Sequence, residues 1–204
     1  MDPKVHWEAI YTTKRPAEMS WYQPWPTRSI ELLLRAGATR DSAIIDVGGG
    51  DSTFAGALLD RGFRDITVLD ISGKAIERAQ ERLRSRANAV KWIEADVRFA
   101  NLQARAYDVW HDRAVFHFLT QPDERAGYIG QARRALRPGG TLIIAAFALE
   151  GPPRCSGLAV TRYDASALAR ELGDAFVLQE TLADVHRTPE GAEQAFTYGV
   201  FELR

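Results

Sequence analysis

The sequence predicts an α/β fold: a doubly wound, mainly parallel seven-stranded sheet with an antiparallel C-terminal strand pair. Three observations predict it. Short apolar runs alternate with helix-periodic segments, which calls for parallel strands covered on both faces. The first of those runs stops at three consecutive glycines, Gly48, Gly49 and Gly50. The last two apolar runs follow one another with no helix between them, so they should pair antiparallel.

Residues 1–26 read as an arm rich in aromatics (Trp7, Tyr11, Trp21, Tyr22 and Trp25), with Pro16, Pro24 and Pro26 breaking regular structure. The arm either staples itself to the core or covers a ligand. In the second case Trp21 and Tyr22 are candidate substrate contacts. Thr27 can cap a helix over 27–36, with Ile30, Leu33 and Leu34 on one face and Gly37 at its end. Residues 43–47 are a buried strand, 54–61 a helix stopped by Gly62, and 65–70 a second strand. Ser72 caps a helix reaching about residue 86. Its Lys74, Arg78, Arg82 and Arg86 are interleaved with Glu77 and Glu81, the pattern of a solvated face.

Strands follow at 90–95 and 107–111, then a helix at 122–136, and a fifth strand at 141–147 after the turn Arg137-Pro138-Gly139-Gly140. A helix at 164–172 precedes the closing strands, 175–184 and 194–203, joined by a polar turn at 186–191. One domain over 1–204 accounts for all of this, because 46% hydrophobic residues in 204 suffice for a sizeable core.

Charge and cysteine usage exclude several function classes. A formal net charge of -1 argues against a nucleic-acid coat, which needs clustered excess base. The single cysteine, Cys155, allows no intrachain disulfide and fits a reducing cytoplasmic setting. The charged N-terminal start lacks a signal-peptide core, and the longest apolar run, 142–149, is too short to span a bilayer. No Cys/His pair has zinc-ligand spacing, so no metal and no membrane partner is expected.

The residues Asp46-Val47-Gly48-Gly49-Gly50 end a strand in a bend where a ligand can lie against bare main chain. Asp70 falls at the tip of the second strand, one strand-helix-strand unit later, where a carboxylate can accept both hydroxyls of a ribose. Ile71 follows it. Asp96, with Val97, falls at the tip of the third strand, in reach of an adenine amino group. A nicotinamide site fits less well: Gly48 and Gly50 match its glycine fingerprint, but Thr53 stands at the third position.

These residues resemble the class I S-adenosylmethionine-dependent methyltransferases. The resemblance implies that Asp46, Gly48, Gly49 and Gly50 hold the methionine end of the cofactor, Asp70 and Ile71 the ribose, and Asp96 and Val97 the adenine. Ser52 replaces the last glycine of the family's usual acidic-x-Gly-x-Gly-x-Gly pattern. At the fourth strand, Trp110-His111-Asp112-Arg113 is similar to the Trp-Asp-Arg region of thiopurine-type methyltransferases, which act on small molecules; Gly151-Pro152-Pro153 is also similar. The arm, with His6-Trp7-Glu8-Ala9-Ile10-Tyr11, instead resembles the openings of protein-lysine methyltransferases. Those carry Asp-Lys-Gly-Thr-x-Asp after strand four. Asp112 matches the first Asp, whereas Ala114 replaces the glycine and His117 the final carboxylate.

Proton chemistry ranks the two. A lysine amine must lose a proton at a cost of roughly 4–5 kcal/mol at pH 7, a thiol only about 2. A lysine site should therefore gather carboxylates or carbonyls around the ammonium. This sequence offers His111, His117, His186 and Cys155 near strand ends instead. The expectation is direct methyl transfer to a heteroatom of a small molecule. His111, Asp112 and Arg113 are the catalytic candidates, His111 also forming part of the cofactor wall, and Trp21, Tyr22, His117 and Cys155 are the substrate contacts. A protein-lysine acceptor is the alternative, and a non-catalytic cofactor-binding module the third reading.

Overall fold

The computed structural model describes residues 2–204; Met1, the first residue of the expected arm, lies outside them. One seven-stranded sheet organises the chain. Its parallel strands are β1 (Ala43–Val47), β2 (Asp65–Asp70), β3 (Val90–Glu94), β4 (Tyr107–Arg113) and β5 (Leu136–Phe147). The small hairpin β6 (Arg154–Cys155) and β7 (Leu158–Ala159) stands apart. The tail strands β8 (Phe176–Arg187) and β9 (Glu193–Leu203) complete the order β3-β2-β1-β4-β5-β9-β8, with β9 antiparallel to both neighbours.

Helices cover both faces, as period-two strands with two apolar sides require. On one face α2 (Thr27–Arg35) and α3 (Phe54–Asp60) bury Ile30, Leu33, Phe54 and Leu58 against Ile44, Val109 and Ile143. On the other, α5 (Pro122–Ala135) and α6 (Ala165–Leu172) bury Tyr128, Ala132 and Leu168 against Ile45, Trp110 and Ile144. Between β2 and β3, α4 (Gly73–Leu83) is capped by Ser72, whose Oγ accepts from Ala75 N at 3.1 Å.

Several boundaries differ from the sequence expectation. The helix after Ser72 stops at Leu83 and continues as a 3₁₀ stretch through Ala89, starting at Arg84 with φ 54. Strand β4 runs to Arg113, and β5 starts at Leu136, so the Arg137–Gly140 turn is an irregularity inside β5. His186 belongs to β8 rather than to a solvated turn, and is buried. The arm also contains a helix that its prolines concealed, α1 (Pro3–Thr13). Asp2 accepts from Lys4 N at 2.7 Å, and Pro3 occupies the first turn, where a missing N–H costs nothing.

The arm is fastened from four sides. Glu8 Oε1 accepts from Gly73 N at 2.8 Å, capping the start of α4. Arg78 donates to the Lys14 carbonyl at 2.5 Å, Arg113 to the Trp21 carbonyl at 3.0 Å, and Thr53 to the Gln23 carbonyl at 3.0 Å. His186 Nε2 bonds the Ser20 carbonyl at 2.7 Å, which is why that imidazole is buried. Trp7, Tyr11, Trp21 and Phe118 meet edge to face or tilted beneath it.

The turn after β4 is set by a buried chain of hydrogen bonds. Trp110 Nε1 donates to Tyr128 Oη at 2.9 Å, and Tyr128 Oη donates to Asp112 Oδ2 at 2.7 Å. Asp112 also accepts from Val115 N at 2.8 Å and Phe116 N at 3.0 Å. Burial pushes its carboxyl up to about 6, against the lowering effect of those bonds. Tyr128→Phe should leave the indole N–H without a partner and Asp112 Oδ2 with only the Phe116 amide. We expect chemical denaturation to show a loss of about 2–4 kcal/mol; a loss under about 0.5 kcal/mol would mean the chain is not needed for stability.

Candidate active site

The C-terminal ends of β1, β2, β3 and β4 converge under the arm, where open parallel sheets place their ligands. A cavity of about 390 Å³ lies there. On the β2–β3 side its walls are Asp70, Ile71, Asp96 and Val97; Gly48 lies in the middle, and Arg113, Phe118 and Cys155 lie toward β4 and the hairpin. A smaller space of about 50 Å³ adjoins it, lined by Asp46, Gly48, Gly49, Asp51, Tyr22 and His111. Tyr11, Trp21, Val47, Gly48 and Arg113 border both.

Two of the glycines are required by two carboxylates. A Cβ on Gly49 would lie 2.1 Å from Asp46 Oδ2, and one on Gly50 would lie 2.6 Å from Asp70 Oδ2 and 2.4 Å from the Ala75 Cβ. The bend thus closes over both side chains only because it carries none of its own. Asp70 Oδ2 accepts from Gly50 N at 2.9 Å and Oδ1 from Ser72 N at 2.8 Å. Burial drives Asp70 up to about 6, the two backbone donors pull it down, and Asp46 and Glu8 push it up again. Ser52, where the resembling pattern has glycine, accepts from Phe54 N at 3.1 Å and so supports the start of α3.

The carboxylate after β3, Asp96, is held in a clamp. Arg98 reaches Asp96 through Nε at 2.9 and 3.0 Å and Nη2 at 2.5 Å, and Glu124 through Nη1 at 2.7 Å. Burial alone would raise Asp96, but the bonds from Arg98 outweigh it and hold the carboxyl below its ordinary value. Arg98 and Glu124 both line the larger cavity, and neither was singled out from the sequence. Their signal was the two-residue spacing Asp96-x-Arg98 at a strand tip.

The fourth-strand candidates separate. His111 is buried: Nδ1 donates to Asp46 Oδ1 at 2.7 Å, Nε2 shares a bond with Ser29 Oγ at 2.8 Å, and the ring stacks on Phe54 at 4.1 Å. It borders the smaller space, yet both ring nitrogens are engaged, so it has none free to serve an acceptor as general base. Asp112 points to the opposite face of β4 and lines neither space; it holds the turn described above rather than facing the crevice. Arg113 returns to the cavity side and borders both spaces. Its Nε donates to Tyr198 Oη at 3.3 Å, its Nη1 to the Trp21 carbonyl, and its guanidinium lies 4.9 Å from the Phe196 ring centroid.

The expected acceptor contacts separate as well. Trp21 and Cys155 line the larger cavity, whereas Tyr22 lines the smaller one. His117 lines neither: it is wholly buried between Phe118 and Phe147, and accepts from Phe147 N at 3.3 Å. Burial, helped by the charge of Arg113, lowers it to about 3, so this imidazole is neutral and structural. Burial raises the Cys155 thiol, which keeps it protonated and poorly nucleophilic. His6, missed as a site residue, also lines the larger cavity. Among the described residues no cluster of His, Cys, Asp and Glu could hold a metal, and no helix is long and apolar enough to cross a membrane.

Known proteins place this geometry. Residues 44–140 match the family model of the methyltransferase domain. By sequence, no curated protein matches the chain. A structure from work on the conversion of a disulfide bond into a thioacetal group during echinomycin biosynthesis is 20% identical, covering 98% of this chain and 92% of that one, with a TM-score of 0.78. The Burkholderia thailandensis 1,6-didemethyltoxoflavin-N1-methyltransferase, solved with 1,6-didemethyltoxoflavin and S-adenosylhomocysteine, is 18% identical over 98% of this chain and 86% of that one, with a TM-score of 0.73. The N-methyltransferase NodS from Bradyrhizobium japonicum WM9 is 19% identical, covering 100% and 99%, with a TM-score of 0.69. At these identities each likeness is one of fold.

Asp70 gives a pH test. Its raised value means that ionising it, between about pH 4 and just above 6, costs the ligand-free fold stability. Hydroxyl donors favour the ionised form. Affinity for S-adenosylhomocysteine should therefore rise up to about tenfold from pH 5 to pH 7, as Asp70 passes from about one-tenth to nine-tenths ionised. In Asp70→Asn the affinity at pH 7 should fall at least about tenfold and the pH dependence should flatten. Calorimetry showing unchanged affinity in the variant would remove Asp70 from the site.

Proposed function

We propose that this chain, a class I S-adenosylmethionine-dependent methyltransferase, transfers its methyl group in line to a heteroatom of a small, largely apolar acceptor. The cofactor supplies an electrophilic methyl on a sulfonium when bound. The chain's own residues divide the remaining work. Asp70, backed by the Gly50 and Ser72 amides, receives the ribose hydroxyls, and Ile71 lines that position. Asp96 and Val97 border the adenine, with Arg98 fixing the carboxylate. Asp46, Gly48 and Gly49 form the wall of the smaller space for the methionine end, and His111 braces Asp46 from behind.

The observation that carries the acceptor class is the composition of the far side of the larger cavity. Trp7, Trp21, Phe118, Leu158 and Cys155 are apolar or neutral there, and Arg113 is a cation. The carboxylates lining that cavity are Asp70, Asp96 and Glu124, on the β2–β3 side and at the start of α5, and the last two are bound to Arg98. A lysine ammonium would meet no counter-charge at the methyl-receiving side. The fastened arm roofs the same space, which favours a small molecule over a protein segment. That a toxoflavin-precursor methyltransferase and NodS share the fold is in keeping with this reading. In-line alignment then does most of the catalysis, with no enzyme nucleophile.

Incubation with methyl-labelled S-adenosylmethionine and separate panels of small thiols, selenols, amines and phenols, and of lysine-containing proteins, tests it. Label is expected in the small-molecule fraction. Label only on protein would overturn the acceptor assignment, and tight cofactor binding with no turnover on any panel would overturn the enzymatic one.

A further inference from the structure

Most of the partly buried arginines have a carboxylate partner: Arg28 pairs with Glu31 and Asp184, Arg78 with Asp51, Arg98 with Asp96 and Glu124, and Arg125 with Glu171. Arg61 and Arg113 do not, and of these two only Arg113 borders the cavities under the arm. Arg113 forms no such ion pair among the described residues. What it has is a carbonyl, a phenol and a ring face, from Trp21, Tyr198 and Phe196. Its Nη2 nitrogen is buried and makes no hydrogen bond. A guanidinium cannot shed its charge, so burial without a counter-charge is expensive, and an unmade bond from it more so.

Its position points to what would complete it. Arg113 ends β4, on the acceptor side of Gly48, and borders the larger cavity beside Phe118 and Cys155. Trp21 and Tyr198 fix two of its nitrogens, so the third is held in place rather than swinging. Around it the walls are aromatic or aliphatic, where a charge pair is strong because little water competes.

We propose that the acceptor is an apolar or aromatic acid, its anionic group paired with the free nitrogen of Arg113. This rests on the small-acceptor reading and sharpens it: Arg113 is a specificity-determining residue that selects a carboxylate or similar anion. The proposal concerns how the acceptor is anchored, whichever of its atoms receives the methyl. The competing occupant of Arg113 is the carboxylate of the cofactor's methionine, because the residue borders the smaller space too.

The test measures binding of benzoate, phenylacetate and 2-naphthoate, each against its uncharged amide, to the enzyme saturated with S-adenosylhomocysteine. At least one acid should bind about tenfold or more tightly than its amide. Arg113→Lys should retain part of that preference and Arg113→Gln should abolish it, each measured at an S-adenosylhomocysteine concentration that saturates that variant. Equal binding of acids and amides, or no binding of either, overturns the proposal. So does loss of S-adenosylhomocysteine affinity in Arg113→Gln with the acid preference intact, which would give Arg113 to the cofactor. If Arg113→Gln fails to fold, the acid-to-amide ratio in the unaltered enzyme together with Arg113→Lys decides. Methyl transfer to neutral small acceptors alone would overturn the anion while leaving the small-acceptor reading standing; transfer to protein alone would remove both.

Discussion

The ligand edge of this protein depends on two buried carboxylates, Asp46 and Asp70, lying against a bend of bare main chain. Side-chain atoms at Gly49 or Gly50 would occupy the space those carboxylates fill. The consequence is electrostatic as well as steric. Asp70 is held by two backbone N–H groups, so its charge is oriented before any ligand arrives. Asp46 is held from the other side by His111, which Ser29 and Phe54 hold in turn. The core face built by α2 and α3 thus reaches the site through one imidazole.

The second constraint is the arm. Its fastenings come from α4, from β4, from the loop before α3 and from the tail strand β8, so elements far apart in the chain meet over one cavity. Arg113 belongs to both systems. It pins the arm through Trp21, and it presents a charge to the space below. The position of the arm and the charge at the cavity wall are therefore coupled through a single side chain.

Most of the strand and helix order was legible in the sequence because short apolar runs of the two-sided parallel sheet, such as residues 43–45 and 142–147, alternate with helix-periodic segments. What escaped notice did so for specific reasons. Helix α1 was masked by the later prolines, although Asp2-Pro3 is itself a start signal, an N-cap followed by a proline in the first turn. The β6–β7 hairpin turns at Ser156 and Gly157, both with positive φ, and its strands are too short for a periodic pattern. Period two alone places His111 and Asp112 on opposite faces of β4, so both could not face one crevice. Ala114, where the resembling lysine motif has glycine, does adopt φ 74; the backbone need persists although the residue has changed. The Arg98 clamp and the unpaired nitrogen of Arg113 are tertiary facts, and only their neighbours in space reveal them.

The most direct measurement is a crystal structure with S-adenosylhomocysteine bound. The ribose hydroxyls should meet Asp70, the methionine end should enter the space beside Gly48 and Gly49, and the free nitrogen of Arg113 should face the cavity beyond the sulfur. A cofactor bound away from the glycine bend, or a methionine carboxylate seated on Arg113, would contradict this assignment of the cavity.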